Sequence, residues 1–299
     1  VLIAIAVALA WPVRRCYLRA RWTARVPRAS IVLWQAIGLS FVVAMVGTCI
    51  DLGTLSSPVA PRRQVNDFTA AASAPAAPHA LSPDAIFGVT AALIVLALLL
   101  GIVTLRAADE MRVRSRHRML VDLVGDPVEN VPGALVLDHP AATAYSLPGL
   151  RPRIVVSSGA VAALSADELA AVVAHERAHL RARHDLVLLP LRALSVALPR
   201  SRVLAGVESS VSALVEMAAD DRALAQCSST VLARALCRMA SADESSPDRT
   251  SSVSSTMLRV ERVLAPRKNA RLLAFGSGLS SFGVVALPIV TTFMRLGVR

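Results

Sequence analysis

Two histidines four residues apart flank a glutamate in the run His175-Glu176-Arg177-Ala178-His179. On an α-helix this spacing stacks both imidazoles on one face, one turn apart, where they can reach one metal ion. Glu176, next to the first histidine, can reach a water on that metal and serve as its base. A catalytic zinc usually takes three protein ligands and keeps one position open. A third ligand is available downstream in Glu216-Met-Ala-Ala-Asp220, where two carboxylates again share a helix face. Glu216 would complete a His, His, Glu set for one zinc ion, and Asp220 would hydrogen-bond the outer nitrogen of a zinc histidine. Glu208 and Asp221 compete with Glu216 for the ligand role, and a solvated helix carboxylate is the plain alternative for Glu216. The five-residue motif also arises by chance on charged helices. The apolar Leu169, Val172 and Val173 just before it argue instead for a half-buried face.

The elements that must position these residues can be read from pattern. Ser165-Ala-Asp-Glu168 is a capping box, and it predicts a helix from Ala166 to about Leu189 that stops at Pro190. A second helix is expected over Val207 to Gln226, long enough after the first to fold back on it. Short apolar runs at Ala134–Leu137, Ala141–Leu147 and Ile154–Ser157 predict strands of a small sheet. The last of these is either a buried strand or an edge on which an extended substrate could pair. Arg106–Val124 reads as a helix, Ser241–Thr256 as an exposed loop, and Met257–Leu264 as a short amphipathic stretch. His184 could touch the site, but His184 and Asp185 read first as a helix-end histidine and a structural contact. His79, His117 and His139 have no partner at metal spacing, and Arg177, Arg181 and Arg183 read as a solvated or membrane-facing helix side. Arg222 and Arg234 are the candidates for stabilising an oxyanion.

The rest of the chain speaks of lipid. Of 299 residues 55% are hydrophobic and only 18% charged, too apolar for a wholly water-exposed surface. Three apolar runs, 31–50, 86–105 and 272–294, match the roughly 20 helical residues that cross a bilayer. Small residues from Gly276 to Gly283 suit the last for close helix packing. Residues 1–13 read as the remainder of a further transmembrane helix. Residues 14–30 form an arginine-rich loop, and residues 51–85 an Ala, Pro and Ser-rich linker with too few large apolar side chains to build a core.

The positive-inside rule places 14–30 and 106–271 in the cytoplasm and 51–85 outside. Arg295 and Arg299, in the tail 295–299, run against that assignment. The expected fold class is therefore membrane α-helical plus α+β: three to four transmembrane helices and a mostly helical zinc peptidase domain, 106–271, with a small β-sheet. The net charge of +11 comes almost wholly from arginines beside apolar runs. That distribution speaks for membrane orientation and against direct nucleic-acid binding. Four cysteines, Cys16, Cys49, Cys227 and Cys237, make neither a C-x-x-C pair nor a disulfide framework.

The run from Arg153 to Leu164, the run Leu169 to Asp185, and Glu216-Met-Ala-Ala-Asp220 together resemble the BlaR/MecR type of integral membrane metallopeptidase. The resemblance covers the cytoplasmic region and the layout of membrane helices around it. It implies a gluzincin-like fold with His175, His179 and Glu216 as zinc ligands, Glu176 as base and Asp220 in support. It also implies a winged-helix repressor as a candidate substrate. The chain ends at Arg299 without a penicillin-binding sensor, so β-lactam sensing is not expected.

The function expected from the sequence is a multi-pass, membrane-anchored zinc metalloendopeptidase that cuts a cytoplasmic protein in regulatory signalling. One alternative is an HtpX-like or CAAX-type membrane protease in quality control or processing. Another is a membrane signalling protein that does not cut, against which the intact Glu176 argues. The Ser-rich loop and the basic stretch Arg267–Arg271 are candidate autocleavage sites by exposure and position.

Overall fold

The computed structural model describes residues 22–55, 83–128, 134–242 and 249–265, with Ser281 and Gly283. The chain divides into two compact units, 1–102 with 270–299, and 103–269. The expected span at 1–13, that at 272–294 apart from Ser281 and Gly283, linker residues 56–82 with His79, and the basic stretch 267–271 lie outside the described residues.

The first unit contains α1 (Pro27–Leu55) and the start of α2 (Pro83–Val124). Both pass the length and hydropathy expected of membrane-crossing helices, and they contain the runs 31–50 and 86–105. At about 1.5 Å per residue, the 29 residues of α1 exceed the roughly 30 Å of a bilayer's hydrocarbon core. The two helices meet backbone to backbone. A Cβ on Gly88 would sit 2.8 Å from the carbonyl oxygen of Cys49 and 2.9 Å from the Cα of Gly53, so only glycine fits the crossing. The other faces of α2 in this unit are apolar and open: Phe87 is 70% exposed and Leu93 61%.

The second unit is a small sheet between helices. Its strands are β1 (Asp126–Pro127), β2 (Ala134–Leu137), β3 (Ala144–Leu147) and β4 (Arg153–Ser157), in spatial order β1-β2-β4-β3. β4 runs parallel to β2 and antiparallel to β3. Its burial on both sides explains the unbroken apolar run Ile154-Val-Val. This places β4 in the sheet interior; the edge beside the helical layer is β3. β3 begins later than residue 141, because Ser157 Oγ donates to the Ala141 carbonyl and accepts from Thr143 N–H, which holds that segment as a loop.

The helices that follow are α3 (Ser158–Ala163), α4 (Ala166–Ala182), α5 (His184–Ala197), α6 (Arg202–Ala223), α7 (Ser229–Ala242) and α8 (Arg249–Leu264). Val121 of α2 packs on one sheet face with Leu147 and Val155. Val172 and Val173 of α4 cover Ile154, Val156 and Ala160 on the other. The opposite side of α4 buries Ala171 and Ala174 against Ala223, Leu232, Ala233 and Val263. Alanines there let the surrounding helices approach α4 closely, which keeps the motif helix central.

Several helix boundaries differ from the sequence reading. The motif helix stops at Ala182, not at Pro190, because Arg183 adopts a left-handed conformation, φ 50°, and α5 begins afresh with Pro190 inside it. The second helix starts at Arg202, five residues early, with Ser201 Oγ accepting from Leu204 N–H as its cap. Residues 249–256 are not a loop. They form the first half of α8, and the 257–264 stretch is its second half.

Candidate metal centre

The motif helix is anchored at its start. Ser165 Oγ accepts from Glu168 N–H at 3.4 Å while Glu168 Oε2 accepts from Ser165 N–H at 2.9 Å. Glu168 is buried, and α7 clasps it through Arg238, 2.7 Å away, and Arg234, at 3.6 Å. Arg234 is thereby committed to the helix cap, and the oxyanion role considered for it does not fit its place. Arg222 stands in the last turn of α6, beyond Asp220.

Ten residues into α4, His175 and His179 turn their Nε2 atoms toward each other at 3.1 Å. α6 packs against α4 and brings Glu216 to the same point: its Oε2 lies 3.3 Å from His175 Nε2 and its Oε1 3.6 Å from His179 Nε2. Among the described residues these three form the one His/Cys/Asp/Glu group whose donor atoms converge as a metal site requires. Four-coordinate zinc with bonds of 2.0–2.1 Å sets its ligand atoms about 3.3–3.4 Å apart, close to the observed triangle. Two imidazole nitrogens and a carboxylate converging on one point are a donor set that suits a divalent cation. The competing carboxylates fall elsewhere: Asp221 pairs with Arg262 at 2.8 Å, and Glu208 lies two turns up α6.

Each part of the triangle is held from behind. Asp220, fully buried, sits 3.0 Å from His175 Nδ1. Arg259 of α8 grips Asp220 with two hydrogen bonds of 2.9 and 2.7 Å and reaches Glu216 at 3.2 Å. The sequence reading missed Arg259. The amphipathic 257–264 stretch was its only signal, and nothing in it pointed to a residue 84 positions from His175. His184, read mainly as a helix-end histidine, takes up the other possibility, contact with the site: it is buried, and its Nδ1 lies 3.1 Å from His179 Nδ1. Asp185 beside it is a structural contact as expected, paired with Arg114 at 3.0 Å. His117 pairs with Tyr145, 2.8 Å away and far from the centre.

These contacts set the charges. Burial disfavours the imidazolium of His175, but hydrogen bonds and charge from Asp220 and Glu216 outweigh it and raise the pKa to about 9. For His179 burial dominates; Glu216 opposes it, the neighbouring His175 and His184 add to it, and the pKa falls to about 4. Two imidazoles on one helix face are thus pushed in opposite directions by their surroundings. Burial would raise the carboxyls of Glu216 and Asp220, yet pairing with His175 and Arg259 holds both at about 2, ionised and ready as acceptors. Glu176 goes the other way. Burial raises it, opposed by His175 and by a hydrogen bond with Ser146 of β3, as suits a group that must take and return a proton.

Residues 107–251 match the family model of peptidase family M48. The match spans the second unit's sheet, α4 and the Glu216-Met-Ala-Ala-Asp220 segment, and it indicates a peptidase, generally zinc-dependent, of a kind often associated with membranes. No solved structure matches the chain.

Proposed function

We propose that this chain is a membrane-anchored zinc metalloendopeptidase, cutting a cytoplasmic protein in regulatory proteolysis. The observation that carries the reading is the triangle of His175, His179 and Glu216 with Glu176 on the adjacent helical position. Two apolar helices and the M48 match support the membrane anchor. The arginine pattern supports the cytoplasmic face. A protein substrate such as a winged-helix repressor rests on the resemblance to the BlaR/MecR type. A second reading, an HtpX-like or CAAX-type protease of processing or quality control, rests on the M48 match, which brings no signalling role with it.

His175, His179 and Glu216 would hold the zinc, and Asp220 would keep His175 in the tautomer that turns Nε2 inward. A zinc ion there supplies Lewis acidity, making water acidic enough to act as a nucleophile near neutral pH and polarising a carbonyl. Glu176 takes the proton from water at its carboxylate and returns it to the departing amine. Ser146 steadies that carboxylate from β3. Arg259 fixes Glu216 and Asp220 together and puts a positive charge beside the developing oxyanion. β3, the edge strand next to Glu176, is where an extended substrate backbone would pair.

The test is purification with metal analysis and a proteome comparison of cells carrying wild type or Glu176→Gln. Wild type is expected to hold one zinc per chain. Glu176→Gln is expected to keep the zinc and lose roughly 10²–10⁴-fold of its cleavage rate. Glu216→Ala is expected to release the metal and Glu208→Ala to retain it. Unchanged cleavage by Glu176→Gln sinks the mechanism, and zinc lost with Glu208 but not Glu216 reassigns the third ligand.

A further inference from the structure

His175 and His179 differ in what stands behind them. Asp220 backs the outer nitrogen of His175. Behind His179 stands another imidazole, His184, with the two Nδ1 atoms 3.1 Å apart and the rings edge-on at 86°. In an unbroken α-helix a residue five positions on lies about 140° round the axis, facing away. His184 returns to His179 only because Arg183 breaks the helix.

That break is built. Among the described residues Arg183 alone combines a side chain with a left-handed backbone, a conformation L-residues disfavour and structures keep where something holds it. Its N–H caps α4, and its carbonyl accepts from Leu186 and Val187 to start α5. The next residue but one, Asp185, is tied to Arg114, itself bonded to Glu110 one turn back along α2. The turn is thus clamped on both sides of His184.

We propose that His184 is the positioning residue of His179: it accepts the Nδ1–H of His179, so that His179 presents a lone pair at Nε2 to the metal. The inference rests on the zinc reading above. Its logic is tautomeric. An imidazole that ligates through Nε2 carries its proton on Nδ1, and that N–H needs an acceptor when buried. At 3.1 Å one of the two facing nitrogens donates and the other accepts, and only donation from His179 leaves its inner nitrogen free for a metal. Asp220 does this for His175 as a charged acceptor, while His184 does it for His179 as a neutral one.

The experiment is zinc competition against a chelator on the detergent-purified full chain, comparing wild type, His184→Leu, His184→Phe and His184→Asn. Leucine and phenylalanine remove the acceptor. Asparagine puts an oxygen close to the place of Nδ1. Zinc affinity is expected to fall roughly 10–100-fold in the apolar variants and to stay within about threefold of wild type in His184→Asn. Wild-type affinity in either apolar variant overturns the proposal, and so does a loss in His184→Asn as large as in the apolar ones. Should neither apolar variant fold, His184→Asn decides alone, since weak zinc binding by a folded His184→Asn overturns it. A wild-type chain that takes up no zinc defeats the metallopeptidase reading and this inference with it. Zinc held equally by all four defeats this inference only.

Discussion

The two units of this chain solve the same packing problem in opposite ways. In the first, α1 and α2 touch through backbone, with Gly53 and Gly88 buried at the crossing and large apolar side chains turned outward. In the second, small apolar residues surround α4, and the buried interior contains charge: Glu168, His175 and Asp220 are all under 9% exposed. The difference fits the two solvents that the proposed membrane anchor implies. In lipid, sequestering apolar surface gains little, so helices associate through close van der Waals approach. In water the apolar core drives folding, and ionised groups stay inside only where each is matched. The second unit therefore concentrates its vulnerability in a few pairs, and the first in a few ångströms of clearance.

The sharpest way to break this contrast is at Asp220. Replacing it with alanine leaves the half-buried Arg259 without its two-bond partner and His175 without its outer acceptor. Removing one member of a buried pair costs about 3–5 kcal/mol, so Asp220→Ala should lower the unfolding temperature of the second unit markedly and weaken zinc binding as well. Far-UV circular dichroism melts with and without zinc read both effects. A variant as stable as wild type would mean that the buried ion network contributes nothing to holding α8 on α6.

The first unit should respond to bulk instead of charge. Gly88→Val places atoms where the Cys49 carbonyl and the Gly53 backbone already stand. Overpacking of this kind costs about 1–3 kcal/mol and should separate α1 from α2 while leaving zinc affinity unchanged. The three tryptophans, Trp11, Trp22 and Trp34, all belong to the first unit, and Trp34 is buried in α1. Tryptophan fluorescence therefore reports that unit selectively. A Gly88→Val chain whose fluorescence melt matches wild type would show that the glycine crossing is not what holds the helices.

How much was legible in the sequence follows from how local each signal is. Hydropathy located both described apolar helices, because a span needs little beyond a run of suitable residues. Their true ends at 27, 55, 83 and 124 lie further out, since helical backbone continues past the apolar stretch. The capping box and the stacking of His175 over His179 are set within a turn or two, and they were readable as such. The convergence of Glu216 on that pair was suggested by spacing and by the family resemblance, not by any local pattern. What stayed hidden depends on distant partners. Arg259 sits in a serine-rich segment of weak helix propensity that α6 and α7 hold as a helix. His184 reaches His179 through one left-handed residue that no pattern announces. The order of strands, which makes β3 and not β4 the edge, is fixed by pairing between segments and not by the composition of either.

Glu168 gives the mildest test, and it separates charge from hydrogen bonding inside the second unit. The backbone N–H of Ser165 holds its carboxyl below the usual range; burial opposes this, and Arg238 and Arg234 assist. The folded protein thus binds fewer protons here than the unfolded chain once pH nears the ordinary glutamate value of about 4.3, and stability must drop with pH in that region. The contribution is complete above that value and disappears as pH falls through the lower, folded one. Glu168→Gln keeps an oxygen to accept from Ser165 but has no charge to lose. At neutral pH the variant should melt below wild type, because the salt bridges from α7 are gone. On acidification through roughly pH 5 to 3 the two melting curves should converge. A gap that stays constant over that range would assign the role of Glu168 to the capping hydrogen bond alone. The paired-charge account of how α7 holds the motif helix would then fail at a buried carboxylate that takes no part in the metal centre.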